Sequence, residues 1–118
     1  MKTLEILEKY EEFLHTHTFN VISDTINGAG PSKYGFWVRD TLFYKYCVTD
    51  AANVHDFLYS QYGPKSITRK QADGVFLELM LKKLNTQTKV SKVLNKPLVY
   101  MYYLSVRALG WMFWSEKS

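Results

Sequence analysis

Apolar residues recur at helical spacing over much of the chain, separated by stretches in which the pattern is lost. From residue 3 to about 15, Leu4, Leu7, Phe13 and Leu14 fall near one face, and Glu5, Glu8, Lys9, Glu11 and Glu12 cover the other. That spacing predicts an amphipathic helix with Thr3 as its N-cap. The following TFNVISDTINGAGPSKYGFW is rich in Gly, Asn, Ser and Pro and reads as loop. FWVRDTLFYKYCV, ending at Val48, is too aromatic and β-branched for a solvated loop, yet it has no clear period. Irregular structure with some helix is expected there.

Residues 49 to 80 carry the strongest pattern and predict two helices joined by a short turn at Gly63-Pro64. Thr49 or Asp50 caps the first, and Ala51 and Ala52 permit close packing. Thr68 and Gln71 have the spacing of a capping box at the start of the second. Within it, Gly74 costs about 1 kcal/mol relative to Ala, so either a neighbouring backbone approaches there or the cost is tolerated. After Leu84, NTQTKVSKVLNK reads as a polar, basic connector, with Asn95 and Pro97 starting a last helix. The run from Pro97 to Trp114 is apolar enough to raise the question of a membrane span. A span needs about 20 apolar residues, and an Arg near its centre costs about 2.5 to 3.5 kcal/mol, so Arg107 argues against one. The helix is expected to be central to the fold, with Tyr and Trp rings turned partly to a membrane interface or another subunit.

The pattern as a whole predicts a mainly α fold. It is a compact helical domain built on an antiparallel helix pair, with an amphipathic N-terminal helix and an aromatic C-terminal one. At 118 residues it forms a single domain, 1–118. The formal charge of +4 favours anionic surfaces without choosing between phospholipid and nucleic acid. No nucleotide-binding or nucleic-acid motif is present, which leaves nucleic acid the weaker partner. Cys47 is alone, so neither an internal disulfide nor a cysteine-based zinc site is available. The charged N-terminus does not read as a secretory signal, and a cytoplasmic or virion-associated location is expected.

The helix pair carries charge where an ordinary core would be apolar. His55 and Tyr59 lie one turn apart on one face of the first helix, and Asp73 heads the stripe Phe76, Leu77 and Met80 on the second. Antiparallel packing turns Asp73 towards His55, where a carboxylate fixes the tautomer of an imidazole acting as a base on water. Asp56 points to the flank, as helix geometry requires, and suits a hard cation. Gly28 and Gly30 allow the backbone to aim carbonyls or amides at a common point.

Gly28-Ala29-Gly30, then Ala51-Ala52 leading into His55-Asp56 and Tyr59, then Ala72-Asp73 and Phe76, resemble the phospholipase A2 superfamily, most closely its disulfide-free parvovirus and bacterial forms. The part from Asp50 to Trp111 also resembles a small domain of unknown function common in phages and bacteria. The first resemblance implies calcium-dependent hydrolysis of the sn-2 ester of phospholipids at a membrane surface. In it His55 activates water, Asp73 orients His55, and Tyr59 hydrogen-bonds Asp73. Asp56 ligates calcium with the carbonyls of Ile26, Gly28 and Gly30, and the Gly28 amide faces the oxyanion. The chain departs from such loops at Ile26, where Tyr is usual, and at Pro31, which has no N–H. The competing expectation is a non-catalytic phage or virion protein that keeps the helix pair as a packing motif and assembles through its aromatic C-terminus. A third is a basic binder of nucleic acid or a host protein acting through Lys82, Lys83, Lys89 and Lys92.

Overall fold

The computed structural model describes residues 1–26 and 47–117. They form α1 (Thr3–Thr16), α2 (Phe19–Thr25), α3 (Thr49–Tyr59), α4 (Arg69–Leu84) and α5 (Lys89–Leu109), followed by a 3₁₀ turn at Gly110–Met112. The mainly α fold and the antiparallel pair, α3 on α4, are as the pattern predicts. Between residues 27 and 46 lie Gly28, Gly30, Pro31 and most of the aromatic stretch, so those expectations fall outside the described residues.

The element at the centre is α3. Ala51, Ala52, Val54, Phe57 and Leu58 are buried on several sides of it, and so are His55, Asp56 and Tyr59. A helix buried all round needs neighbours all round. Towards α4 and α5, Ala51 and Ala52 pack with Phe76, Met80, Leu84, Val99, Tyr102 and Val106. Towards α1 and the first half of α4, Val54, Phe57 and Leu58 pack with Ile6, Phe13, Ile67, Ala72 and Val75. The C-terminal helix is therefore not the centre: α5 buries Val99, Tyr102 and Val106 along one face only.

Several local expectations are corrected. Thr3 does not cap α1, whose N-cap is Lys2, and its hydroxyl instead donates to Glu78 on α4. The buried stripe of α1 is led by Ile6 and Phe13, while Leu4 is 69% exposed. Residues 19–25, read as loop, form α2: Thr18 caps it by accepting from the Val21 amide, and Val21 and Ile22 pack on the core beside α1. Neither Thr49 nor Asp50 caps α3, because the chain enters it from Val48 already in helical conformation. The last helix starts at Lys89, eight residues before Pro97, with Thr88 accepting from the Ser91 amide. Pro97 thus lies inside α5. The capping box is formed as the spacing predicts, with Thr68 and Gln71 each bonded to the other's backbone. No atom approaches within 4 Å of where a Cβ on Gly74 would stand, so its cost is simply tolerated.

The end of α3 is satisfied by the C-terminal segment. A helix leaves its last carbonyls without intrahelical partners. The Ser115 amide donates to the Tyr59 carbonyl at 2.8 Å, and Lys117 Nζ donates to the carbonyls of Leu58 (2.6 Å) and Ser60 (2.7 Å). Lys117 also lies 3.8 Å over the Trp114 ring, which meets Tyr59 edge-on. Burial pushes the Lys117 ammonium down to about 8, against the smaller opposing pull of the Glu116 carboxylate. Among the described residues no helix is long and apolar enough to cross a membrane.

Candidate functional site

The polar centre lies where α3, α4 and α5 meet. His55 Nε2 is 2.8 Å from Asp73 Oδ1, and the Tyr59 hydroxyl donates to the same oxygen at 2.5 Å. Two properties of the sequence bring these groups together. The i, i+4 spacing of His55 and Tyr59 stacks their rings, 4.2 Å between centroids, on the face of α3 that looks at α4. The Gly63-Pro64 turn then returns the chain so that Asp73 stands opposite both. The turn fits tightly, since a Cβ on Gly63 would be 2.8 Å from the Leu58 carbonyl oxygen. The Phe76 ring also lies against the imidazole, 4.8 Å between centroids.

A carboxylate only accepts, so the proton in the His55–Asp73 bond is on Nε2, which leaves Nδ1 as the acceptor in the neutral form of the ring. Asp73 is 0% exposed and His55 4%. A buried carboxylate must be paired. The second oxygen of Asp73 accepts from Arg107 Nη1 at 2.7 Å and is 3.5 Å from Arg69 Nη1. Arg69 also donates to the carbonyls of Val106 (3.0 Å) and Arg107 (3.1 Å), fastening the start of α4 to the end of α5. Burial, and then the bond to Asp73, push the Tyr59 phenol well above its ordinary range, so it remains a donor. Gly110 is required beside it: a Cβ there would collide with Tyr59 Oη and lie 3.0 Å from Arg69 Nη1.

The sequence reading missed the two arginines. Arg69 is four residues before Asp73 on one helix, a readable pair. Arg107, an unexplained cation in an apolar run, implied a buried partner but not which one.

Asp56 is also buried, 4% exposed, and lines a cavity of about 540 Å³. Thr25, Tyr59, Ser60 and Tyr62 line the same cavity, with Phe113 from the C-terminal segment. Asp56 and the end of α2, immediately before Ile26, therefore border the same cavity, as do Asp24 and Glu116. Burial foremost, and the nearby carboxylates including Asp56, raise the Tyr10 phenol to about 12. Of the proposed calcium ligands, Asp56 and Ile26 are described, and Ile26 ends α2 with its amide bonded to the Ile22 carbonyl at 2.9 Å. Gly28 and Gly30 lie outside the described residues. Among the described residues no group of three or more His, Cys, Asp and Glu side chains is placed to hold a metal ion. Calcium beside Asp56 would rest on that carboxylate and on backbone carbonyls, a donor set of the right hard-oxygen type.

Residues 37–101 match the model of a protein family of unknown function, DUF1353, a span that includes His55, Tyr59, Arg69 and Asp73. No curated protein and no solved structure matches.

Proposed function

The chain belongs to the DUF1353 family of proteins of unknown function, and we propose that this member is a phospholipase A2-like hydrolase that cleaves the sn-2 ester of phospholipids. The observation that carries the reading is the 2.8 Å contact of His55 Nε2 with Asp73 Oδ1, with Tyr59 on the same oxygen. The contact fixes the ring and keeps Nδ1 basic. In the proposed reaction Nδ1 takes a proton from water as its oxygen attacks the ester carbonyl. The resulting imidazolium returns that proton to the departing glycerol oxygen as the tetrahedral intermediate collapses to fatty acid and lysophospholipid. Asp73 balances the imidazolium charge through Nε2–H and is not itself protonated. Tyr59, held as a neutral donor, restrains the carboxylate. Calcium, held by Asp56 with the carbonyls of Ile26, Gly28 and Gly30, would polarise the ester carbonyl.

A second reading has its own observation. Both oxygens of Asp73 are taken, by groups from α3, α4 and α5, and that arrangement ties three helices whether or not water reaches His55. In this reading the protein is a non-catalytic structural or interaction protein of phage or virion type.

The two separate in a product assay. A phospholipid with different acyl chains at sn-1 and sn-2 is incubated as mixed micelles with the full chain, with calcium or with chelator, and the products are weighed by mass spectrometry. The hydrolase reading expects release of the sn-2 acid alone, dependent on calcium. No release of either acid leaves the structural reading, and equal release of both would overturn the sn-2 specificity proposed here.

A further inference from the structure

A separate cavity of about 380 Å³ opens between α1, α3 and α4, and none of His55, Asp56, Tyr59 and Asp73 borders it. Its residues on α3 lie on the side of that helix away from Asp56, as a rotation of 100° per residue requires. Leu7 of α1, Ala51 and Val54 of α3 and Leu79 of α4 give it apolar walls, and Asp50, Lys82 and Lys83 supply its charge. The two kinds of residue are not mixed. On α3 the lining passes from Val54 back to Asp50, and on α4 from Leu79 on to Lys83. Because the two helices are antiparallel, both charged ends fall at the same end of the cavity, where Lys83 Nζ and Asp50 Oδ2 are 3.8 Å apart. The cavity is therefore apolar at one end and charged at the other. Asp50 is answered by Lys83, whereas Lys82 is exposed and makes no ion pair among the described residues. Glu78, one turn before Lys82, accepts from Thr3 and does not border the cavity. One positive charge at the mouth is left without a counter-ion.

We infer that this cavity binds a single alkyl chain that ends in an anionic group, a fatty acid anion being the simplest case. The chain lies along Leu7, Val54 and Leu79, and the carboxylate meets Lys82. Size selects one chain. The volume is near the lower end for ligand cavities, about 300 Å³, and the lining on α4 from Leu79 to Thr86 runs about 10 Å. Charge selects the head group. A cationic head would be set against Lys82 and Lys83, and an alcohol would leave Lys82 as it is, whereas a carboxylate completes the balance that Asp50 begins. Most of the affinity comes from the chain, about fourfold for each methylene taken out of water. Lys82, on a flexible stem, fixes which end points outwards and adds the smaller share. The inference goes beyond the proposed hydrolysis and does not depend on it, because no residue of the His55 centre borders the cavity.

The test is titration calorimetry of the full chain with decanoate below its micellar concentration. One saturable site per chain is expected, with decanoate bound about tenfold more tightly than octanoate and at least tenfold more tightly than decyltrimethylammonium. Leu79→Trp, which fills the apolar end, should weaken binding at least tenfold with an unchanged circular dichroism spectrum. Lys82→Glu, at an exposed position that the fold does not use, should weaken it at least threefold and reduce the preference for the anionic head. His55→Gln should bind decanoate as the wild type does, whether or not the wild type releases fatty acid from phospholipid, so the two readings fail separately. Absence of saturable binding, equal affinity for the anionic and cationic amphiphiles, or binding indifferent to both cavity substitutions would each overturn the proposal. Loss of binding in a folded His55→Gln chain would also overturn it, by placing the acid at the His55 centre. Self-association that Leu79→Trp abolishes would overturn it in favour of a second copy of the chain.

Discussion

Asp56 and Asp73 are two buried carboxylates on facing helices, and they differ in what lies beside them. Asp73 is enclosed by His55, Tyr59, Arg69 and Arg107, drawn from three helices. Asp56 stands at the wall of a cavity shared with the end of α2. Burial alone does not say what an acid is for. A carboxylate bonded from three helices orients its neighbours and joins them, whereas one that also borders a cavity can meet something that arrives there.

The comparison can be broken first at Asp73. Asp73→Ala would leave two partly buried guanidinium groups without their counter-ion, and a loss on the order of 3 kcal/mol is expected in urea denaturation. A loss below 1 kcal/mol would mean that the centre does not join the helices. Gly110→Ala tests the same centre from outside: displacing Tyr59 and Arg69 should cost about 2 kcal/mol, read as a lowered Tm.

Tyr59→Phe removes one hydrogen bond and should cost about 1.5 kcal/mol, since the acceptor is charged. It should also change the alkaline limb. Tyr10 and Tyr59 both have raised values in the fold, so between pH 10.5 and 12 the unfolded chain loses phenol protons that the folded chain retains, and stability falls as pH rises. Lys117 has the opposite sign, but its window closes at 10.5, where the unfolded lysine titrates. A shallower fall in Tyr59→Phe, followed by fluorescence from pH 10.5 to 12, is the expected result.

At an exposed helix position with open space, Gly74→Ala should raise stability by about 1 kcal/mol, a control that the denaturation assay reads gains as well as losses. The smallest stability effect belongs to Asp56→Asn, expected under about 0.5 kcal/mol because the shape is kept, one oxygen still accepts, and removal of a buried charge offsets the acceptor that becomes a donor. Calcium affinity measured by calorimetry should nevertheless fall at least tenfold. A large stability loss without any change in calcium binding would make the two acids alike and remove the contrast.

What could be read in the chain beforehand was local. The Thr68–Gln71 capping box follows from a three-residue spacing, and His55 and Tyr59 share a face because they are four apart. Asp73 opposite them follows from a short turn between two helices. The misses have the same root. Pro97 is a strong start signal, yet Thr88 begins the helix earlier, because the missing N–H costs less on an exposed face than the turns gained on either side. Residues 19–25 lie among loop-forming residues, and the Thr18 cap together with packing of Val21 and Ile22 on the core makes them helix. Arg107 meets Asp73 from 34 residues away, a distance over which spacing says nothing.

The central claim is that His55, held by Asp73, is the base of a phospholipid hydrolase. Its most direct test is fatty-acid release from phospholipid micelles, with calcium present, by the wild-type chain and by His55→Gln of matched thermal stability. The account predicts turnover by the wild type and a loss of at least about 100-fold in the variant. Equal rates in the two proteins, or no release by either, would contradict it.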